Sequence, residues 1–323
     1  MIRKIFFGLV CIFVGTQPCF VPIASAQPYP SRAIRMVVPF AAGTGTDAVA
    51  RIIGQAISKN ANVPVVVDNF PGANGFIGAK EVARAPADGY TILMTTSTTH
   101  AANAAMFKQL PYDPIKDFEP VGKTGDATLA LVVRSDSPYR NISSFANTIR
   151  SKKSLTFGAS SASTRIAAEM LKLRLKGNLL YVPYRSSPQA LTDLLGGQFD
   201  FMTCDLSPAL PLIRAGKLTA LAVTSKQRDS HLPNVPTIAE SGLPGFELTA
   251  WSAAFAPART PKAVIDRLNF FLRQALEDEG VRKQMIEKGV TPSYSTSEEL
   301  GIFVVQESKK WAQVVRDAGI SPE

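Results

Sequence analysis

The residues of this chain that could do chemistry sit in short polar turns after apolar runs. Gly43-Thr44-Gly45-Thr46-Asp47-Ala48 follows "VVPF" and matches G-x-G-x-x-A, and Asp68 closes the next apolar run, "VPVVVD". Between a strand and a helix, that spacing outlines a dinucleotide fingerprint. Two other turns share its small, polar character: Thr95-Thr96-Ser97-Thr98-Thr99-His100 and Gly158-Ala159-Ser160-Ser161-Ala162-Ser163-Thr164. Each would place backbone N–H groups and hydroxyls at a helix start, where the helix dipole favours an anion. Ser, Thr and Asp are also ordinary helix caps, so one such turn carries little information. Three of them at strand ends point to a binding cleft. Asp47 weighs against a dinucleotide, because its carboxylate would lie beside the pyrophosphate.

Catalytic groups are sparse. The chain has only two histidines, His100 and His231, and lacks H-E-x-x-H, paired C-x-x-C, G-x-S-x-G and Walker A patterns. His231 lies in a proline-rich link and reads as a surface residue. His100 follows "TTSTT" at a strand end, where a lone histidine is more often structural than catalytic. Of three cysteines, only Cys204 lies beyond the leader, in the apolar run "FDFMTC", so no internal disulfide is expected and the thiol reads as buried and inert.

These turns need elements to position them. Apolar runs at 34–40, 63–68, 90–96, 129–134, 154–159, 179–184, 199–204 and 218–224 read as strands. Their lack of strict alternation suggests a parallel sheet covered on both faces. Helical spacing appears at Ala48, Val49, Ile52, Ile53, Ala56 and Ile57, at Val264, Ile265, Leu268, Phe271, Leu272 and Leu276, and at Leu300, Phe303, Val304, Trp311, Val314 and Val315. Strand and helix alternate, which argues for α/β. Proline-punctuated links at 108–123 and 230–247 divide the chain, and the block beyond the second link reads as almost wholly helical. Two lobes follow, with a small-ligand cleft at the carboxyl ends of their strands. Residues 27–124 with 248–323 form one lobe and 125–247 the other.

The first residues read as a secretory leader. Arg3 and Lys4 precede an apolar run from Ile5 to Gly15, and Ala24-Ser25-Ala26 predicts cleavage before Gln27. The run is too short to cross a bilayer, which takes about 20 residues. Residues 1–26 are therefore expected to be a signal peptide and the mature chain to be soluble and periplasmic. Losing Arg3 and Lys4 lowers the net charge from +9 by two. The remaining charges are scattered without a basic run, so nucleic acid is not implied.

Seven segments, among them "YPSRAIRMVVPFAAGTGTDAVAR", "PVVVDNFPGANGFIGAKEVARAPADGYTILM", "LPYDPIKDFEPVG", "VPYRSSPQALTDLLGGQFDFM" and "LPNVPTIAESGLPGFE", recur in order and spacing in one family. The chain resembles the tripartite tricarboxylate transporter substrate-binding proteins, the Bug family of periplasmic receptors, over its whole mature length. That resemblance implies a two-lobed Venus-flytrap fold, each lobe a mixed or parallel sheet flanked by helices. It implies no enzymatic activity, no cofactor, a small carboxylate ligand and a two-subunit membrane permease as partner; a receptor that must open and close is expected to be a monomer. A receptor feeding a signalling system without transport, and an exported dinucleotide-binding oxidoreductase, are the alternative readings. By match to the family, the ligand contacts would be Ala42, Gly43, Thr44, Thr46 and Asp47 in the first turn, and Ser97, Thr98, Thr99 and His100 in the second. The middle lobe would add Ser160, Ser161, Ser163, Thr164, Tyr184 and Asp205. Arg165 stands where the family commonly has histidine, and either pairs with a second acid group of the ligand or points to solvent. The first turn, Ala41-Ala42-Gly43-Thr44, also departs from the family's usual P-P-G-G, with less freedom for positive φ.

Overall fold

The computed structural model describes residues 29–151 and 154–323, so the expected signal peptide, residues 1–26, lies outside the described residues. The order of elements is β1 (Ile34–Val38), α1 (Gly45–Ala61), β2 (Val65–Asn69), α2 (Phe76–Ala83), β3 (Thr91–Thr96), α3 (Asn103–Met106), β4 (Phe118–Arg134), α4 (Ile142–Arg150), β5 (Leu155–Ala159), α5 (Ala162–Leu175), β6 (Leu179–Pro183), α6 (Ser187–Leu195), β7 (Phe201–Asp205), α7 (Leu206–Arg214), β8 (Leu218–Val223), β9 (Thr249–Pro257), α8 (Lys262–Glu277), α9 (Glu279–Glu287), β10 (Val290–Pro292) and α10 (Ser297–Asp317).

The expected mixed α/β architecture is present. In the first lobe β1 lies parallel to β2 and β3, pairing Met36 with Val67 and with Ile92. Strand β9 then runs antiparallel between β3 and β4, pairing Met94 with Ala254 and Asp126 with Trp251. In the second lobe β5 lies parallel to β6 and β7, and β7 and β8 run antiparallel to β4 on its two sides. One strand therefore serves both lobes. The β4 residues up to Thr128 pair with β9, and those from Leu129 pair with β7 and β8.

Helices cover both faces of each sheet. In the first lobe α1, α8 and α9 bury Ile53, Phe271 and Met285 on one face, and α10 buries Leu300 and Trp311 on the other. In the second, α4 and α5 pack Phe145 and Leu171 on one face, and α6 and α7 pack Leu191 and Leu210 on the other. The three helical patterns read from sequence fall on α1, α8 and α10. Their buried positions include Val49, Ile53 and Ile57, then Leu268, Phe271 and Leu272, then Leu300, Val304 and Trp311.

Two expectations about strands are corrected. The link at 108–123 is in its last part the first third of β4, and Gly122 and Gly125 accompany register shifts against β9. The block after 247 is not wholly helical: it contributes β9, at the centre of the first sheet, and β10. The sequence of β9, "TAWSAAFAP", is rich in alanine, which β-propensity disfavours. The strand is buried from Ala250 onward with helices above and below, and small side chains let both layers approach. His231 also departs from its surface reading. Its imidazole is 7 % exposed, with Nδ1 at 2.7 Å from an Asp229 carboxylate oxygen. Cys204 is fully buried as expected, and burial pushes its thiol pKa up.

Candidate functional site

The carboxyl ends of β1, β3, β5, β6 and β7 converge on one cavity between the lobes, with about 720 Å³ of empty space including its open mouth. Four helices begin at it. Thr44 caps α1, Ser161 caps α5, Ser186 caps α6 and Asp205 occupies the cap position of α7. The first amides of each helix have no acceptor within the helix, so four positive dipole ends face the same space. Half of the lining residues carry hydroxyls: Thr44, Thr46, Thr96 and Thr98 with Ser252 from the first lobe, and Ser160, Ser161, Ser163, Ser186, Ser187 and Ser207 from the second. Phe40, Val49, Trp251 and Val290 supply apolar surface. Among the described residues one acid, Asp205, and one base, Arg185, line it.

Local chemistry explains the first turn. Gly43 takes the positive φ, +82°, that alanine or threonine would adopt only with strain. Thr44 then returns to extended backbone, accepts from the Asp47 N–H at 3.4 Å and donates to the Ala41 carbonyl at 2.8 Å. The Asp47 carboxylate points inward: it accepts from the Gly43 N–H at 3.0 Å and the Asn69 amide at 3.0 Å, and it pairs with Arg51. Asp47 thus occupies an amide that a pyrophosphate would need. Asp68 is engaged by Arg35 at 2.9 Å, so neither element of the dinucleotide fingerprint is free to hold a nucleotide.

Of the residues singled out from sequence, Thr44, Thr46, Thr98, Ser160, Ser161, Ser163 and Asp205 line the cavity. The others lie outside its lining. Ala42 and Gly43 are exposed, a Cβ on Gly43 lying 3.8 Å from Pro188 Cγ of the other lobe, and Asp47 braces the turn by accepting from the Gly43 N–H. Ser97 is buried behind Thr98, 3.4 Å from the Ser163 hydroxyl. Thr99 bonds Thr95 at 2.6 Å, and its carbonyl accepts from the Tyr112 hydroxyl at 2.9 Å. His100 stacks on Phe255 with ring centres 3.8 Å apart and meets Phe118 edge-on. It is fully buried in the hydrophobic core, and burial pushes its pKa down to about 3. Thr164 completes the capping box of α5 with Ser161. Arg165 turns away from the cavity to the Glu323 carboxylate and lies over the Tyr181 ring, 4.5 Å from its centre. Tyr184 packs on Phe199.

Several lining residues escaped the sequence reading. Arg185 and Ser186 adjoin Tyr184 in the quoted segment "VPYRSS", and the S-x-P pattern before a helix was the available signal. Trp251, Ser252 and Val290 come from β9 and β10, strands that sequence did not reveal.

The lobes touch across the cleft. The Thr98 and Ser163 hydroxyls are 2.7 Å apart, and a Cβ on Gly45 would lie 3.2 Å from Ser207 Cβ. This is a closed arrangement, with the α1 start wedged against the α7 start.

Burial raises the Asp205 carboxyl to about 6, outweighing the lowering effect of a hydrogen bond from its own backbone N–H. The sign follows from linkage. Between its ordinary value of 3.8 and about 6, the folded chain holds a proton here that the unfolded chain has released. The contribution is full below that window and lost as pH rises through 6. His100 acts oppositely: it stays neutral when folded, so acidification below 6.5 favours unfolding. The pair is separated by Asp205→Asn, which we expect to stabilise the ligand-free chain by on the order of 2 kcal/mol at pH 7 and little at pH 4. Urea midpoints at the two pH values check this, and an equal effect at both would remove the buried carboxylate as its cause.

Comparison with known proteins gives a consistent set of relatives. The family described as tripartite tricarboxylate transporter family receptor matches residues 49–320. Protein BugT of Bordetella pertussis is 33 % identical over 316 residues, covering 97 % of each chain. The solved periplasmic binding protein BugD superposes with a TM-score of 0.87 at 35 % identity, over 91 % of this chain and 100 % of that one. An R. palustris protein solved with adipate gives a TM-score of 0.88 at 32 % identity, over 91 % and 100 % of the two chains. MatC from Rhodopseudomonas palustris, solved with bound malate, gives 0.84 at 33 % identity, over 89 % and 100 %.

Proposed function

Because the chain belongs to the family of tripartite tricarboxylate transporter receptors, we propose that it is an extracytoplasmic receptor that captures a small organic acid between its lobes. The observation that carries this reading is the cavity itself, where four helix N-termini and a wall of hydroxyls converge on one space. Such a lining holds a carboxylate by N–H and O–H donors without a buried cation. Two relatives with the same fold were solved with dicarboxylates, adipate and malate. The capturing step is binding, not catalysis, with no cofactor. Ligand bridging Thr44 and Thr46 of one lobe to Ser160 and Ser161 of the other favours the closed form. The closed monomer then delivers the acid to a two-subunit membrane permease.

The lobe assignment, 27–124 with 248–323 and 125–247, is supported by the change of partner within β4 at Thr128 and Leu129, except that residues 125–128 still pair with β9 of the first lobe. The Leu248 N–H to Thr224 carbonyl bond, 2.9 Å, supports it at the return crossing. Periplasmic location is supported by the family and by the leader-like residues 1–26. Among the described residues no helix is long and apolar enough to cross a membrane. The engaged Asp47 and Asp68 support a receptor over an oxidoreductase.

The test is thermal unfolding of the mature chain, refolded once to remove carried ligand, against dicarboxylates, tricarboxylates, amino acids, aromatic acids and NAD. An acid at 100 times its Kd is expected to stabilise the fold by about 2.7 kcal/mol. A response to NAD alone would overturn the receptor reading, as would no response to any acid.

A further inference from the structure

Among the described residues Arg185 is the one basic residue lining the cavity. It follows β6 directly and precedes Ser186, the cap of α6. It is exposed at the mouth, and among the described residues it forms no ion pair. Other basic groups nearby are engaged: Arg51 by Asp47, Arg165 by Glu323 and Lys123 by Asp126. An unpaired guanidinium in a cavity wall presents a planar fork suited to a carboxylate.

Strand order sets where that carboxylate would come from. In the second lobe β5 lies between β7 and β6, all three parallel, with their carboxyl ends at the cavity. Asp205 ends β7, Ser160 and Ser161 follow β5, and Arg185 follows β6. Neighbouring strands are spaced by about 4.8 Å, so the hydroxyl pair stands between an acid and a base, roughly one strand from each. A carboxylate held at the α5 start leaves a second carboxylate two directions. Toward Asp205 it meets a like charge, and toward Arg185 it meets an unpaired cation. One strand spacing is comparable to the separation of the carboxyl groups in a short dicarboxylate.

From this arrangement, and resting on the organic-acid reading above, we propose that Arg185 is the specificity-determining residue that takes the second carboxylate of a dicarboxylate ligand. Arg165, the arginine that sequence placed as a candidate for that role, is held by Glu323 and Tyr181 instead.

The experiment measures Kd by calorimetry for succinate, adipate and the monomethyl ester of each, with wild type, Arg185→Gln and Arg185→Lys. Wild type should prefer each diacid to its ester. Arg185→Gln should weaken the diacids by roughly ten- to a hundredfold, as expected for losing a charge-assisted pair, and leave the esters unchanged. Arg185→Lys should retain part of the preference. Because the residue is exposed, the melting temperature should not move. Diacid binding by Arg185→Gln within twofold of wild type, or an equal loss for diacid and ester, would overturn the assignment. So would a wild-type chain that binds none of the four. The receptor reading falls only if the wider acid panel also fails.

Discussion

Glu307→Ala should destabilise the protein by about 3–5 kcal/mol and lower its melting temperature by roughly 10 °C. The Glu307 carboxylate lies on α10, is 8 % exposed, and accepts from two indoles through the same oxygen, Trp251 Nε1 and Trp311 Nε1, each at 3.0 Å. Both rings are almost completely buried. Truncation removes two charge-assisted hydrogen bonds and leaves two buried N–H donors without partners, a much larger cost than losing an ordinary contact. It also detaches α10 from the central strand β9, whose Trp251 forms part of the cavity wall. Glu307→Gln keeps an acceptor in place and should cost less than half as much. Urea unfolding followed by tryptophan fluorescence reads both variants. Equal midpoints for Glu307→Ala and wild type would refute a stabilising role for the two indole hydrogen bonds.

Gly45→Leu should weaken ligand binding by at least a hundredfold while leaving the fold as stable as before. Gly45 opens α1, and a Cβ there would sit 3.2 Å from Ser207 Cβ on the opposing lobe. The same α7 start also meets Gly289, where a Cβ would lie 3.3 Å from Leu206 Cγ. A leucine at 45 has no room in the closed arrangement, yet it suits a helix better than glycine by up to about 1 kcal/mol. The variant should therefore fold, stay open and fail to register ligand, since a ligand shifts the equilibrium only by its preference for the closed form. Calorimetry with the best acid from the panel and small-angle scattering with and without it test both halves. Normal affinity in the variant, or compaction on adding ligand, would contradict the closure contact.

The turns after β1, β3 and β5 were readable in the chain because everything that forms them is local. An apolar run and a cluster of hydroxyls stand within about ten residues of one another in each, and Gly43 adds positive φ in the first, a spacing set by backbone geometry alone. The helices α1, α8 and α10 were readable for the same reason, since a repeating apolar face marks its own burial. Family resemblance carried the two-lobed fold further than periodicity did. Strand β9 remained hidden, because alanine carries no strand signal and the strand exists through its place between β3 and β4.

Within the site, local pattern named the segments but could not orient their side chains. Thr98 and Thr99 are adjacent, yet one faces the cavity and the other the core. His100 looks like a ligand contact at a strand end, but Phe255 and Phe118, more than a hundred residues apart in sequence, close around it. Arg165 and Arg185 each stand by a helix start, and only the positions of Glu323 and Tyr181 decide which one is left unpaired at the cavity. Hydrogen bonding and helix spacing act over a few residues and can be read along the chain. Burial and charge pairing depend on which distant segments meet, and those meetings exist only once the two lobes have formed and closed.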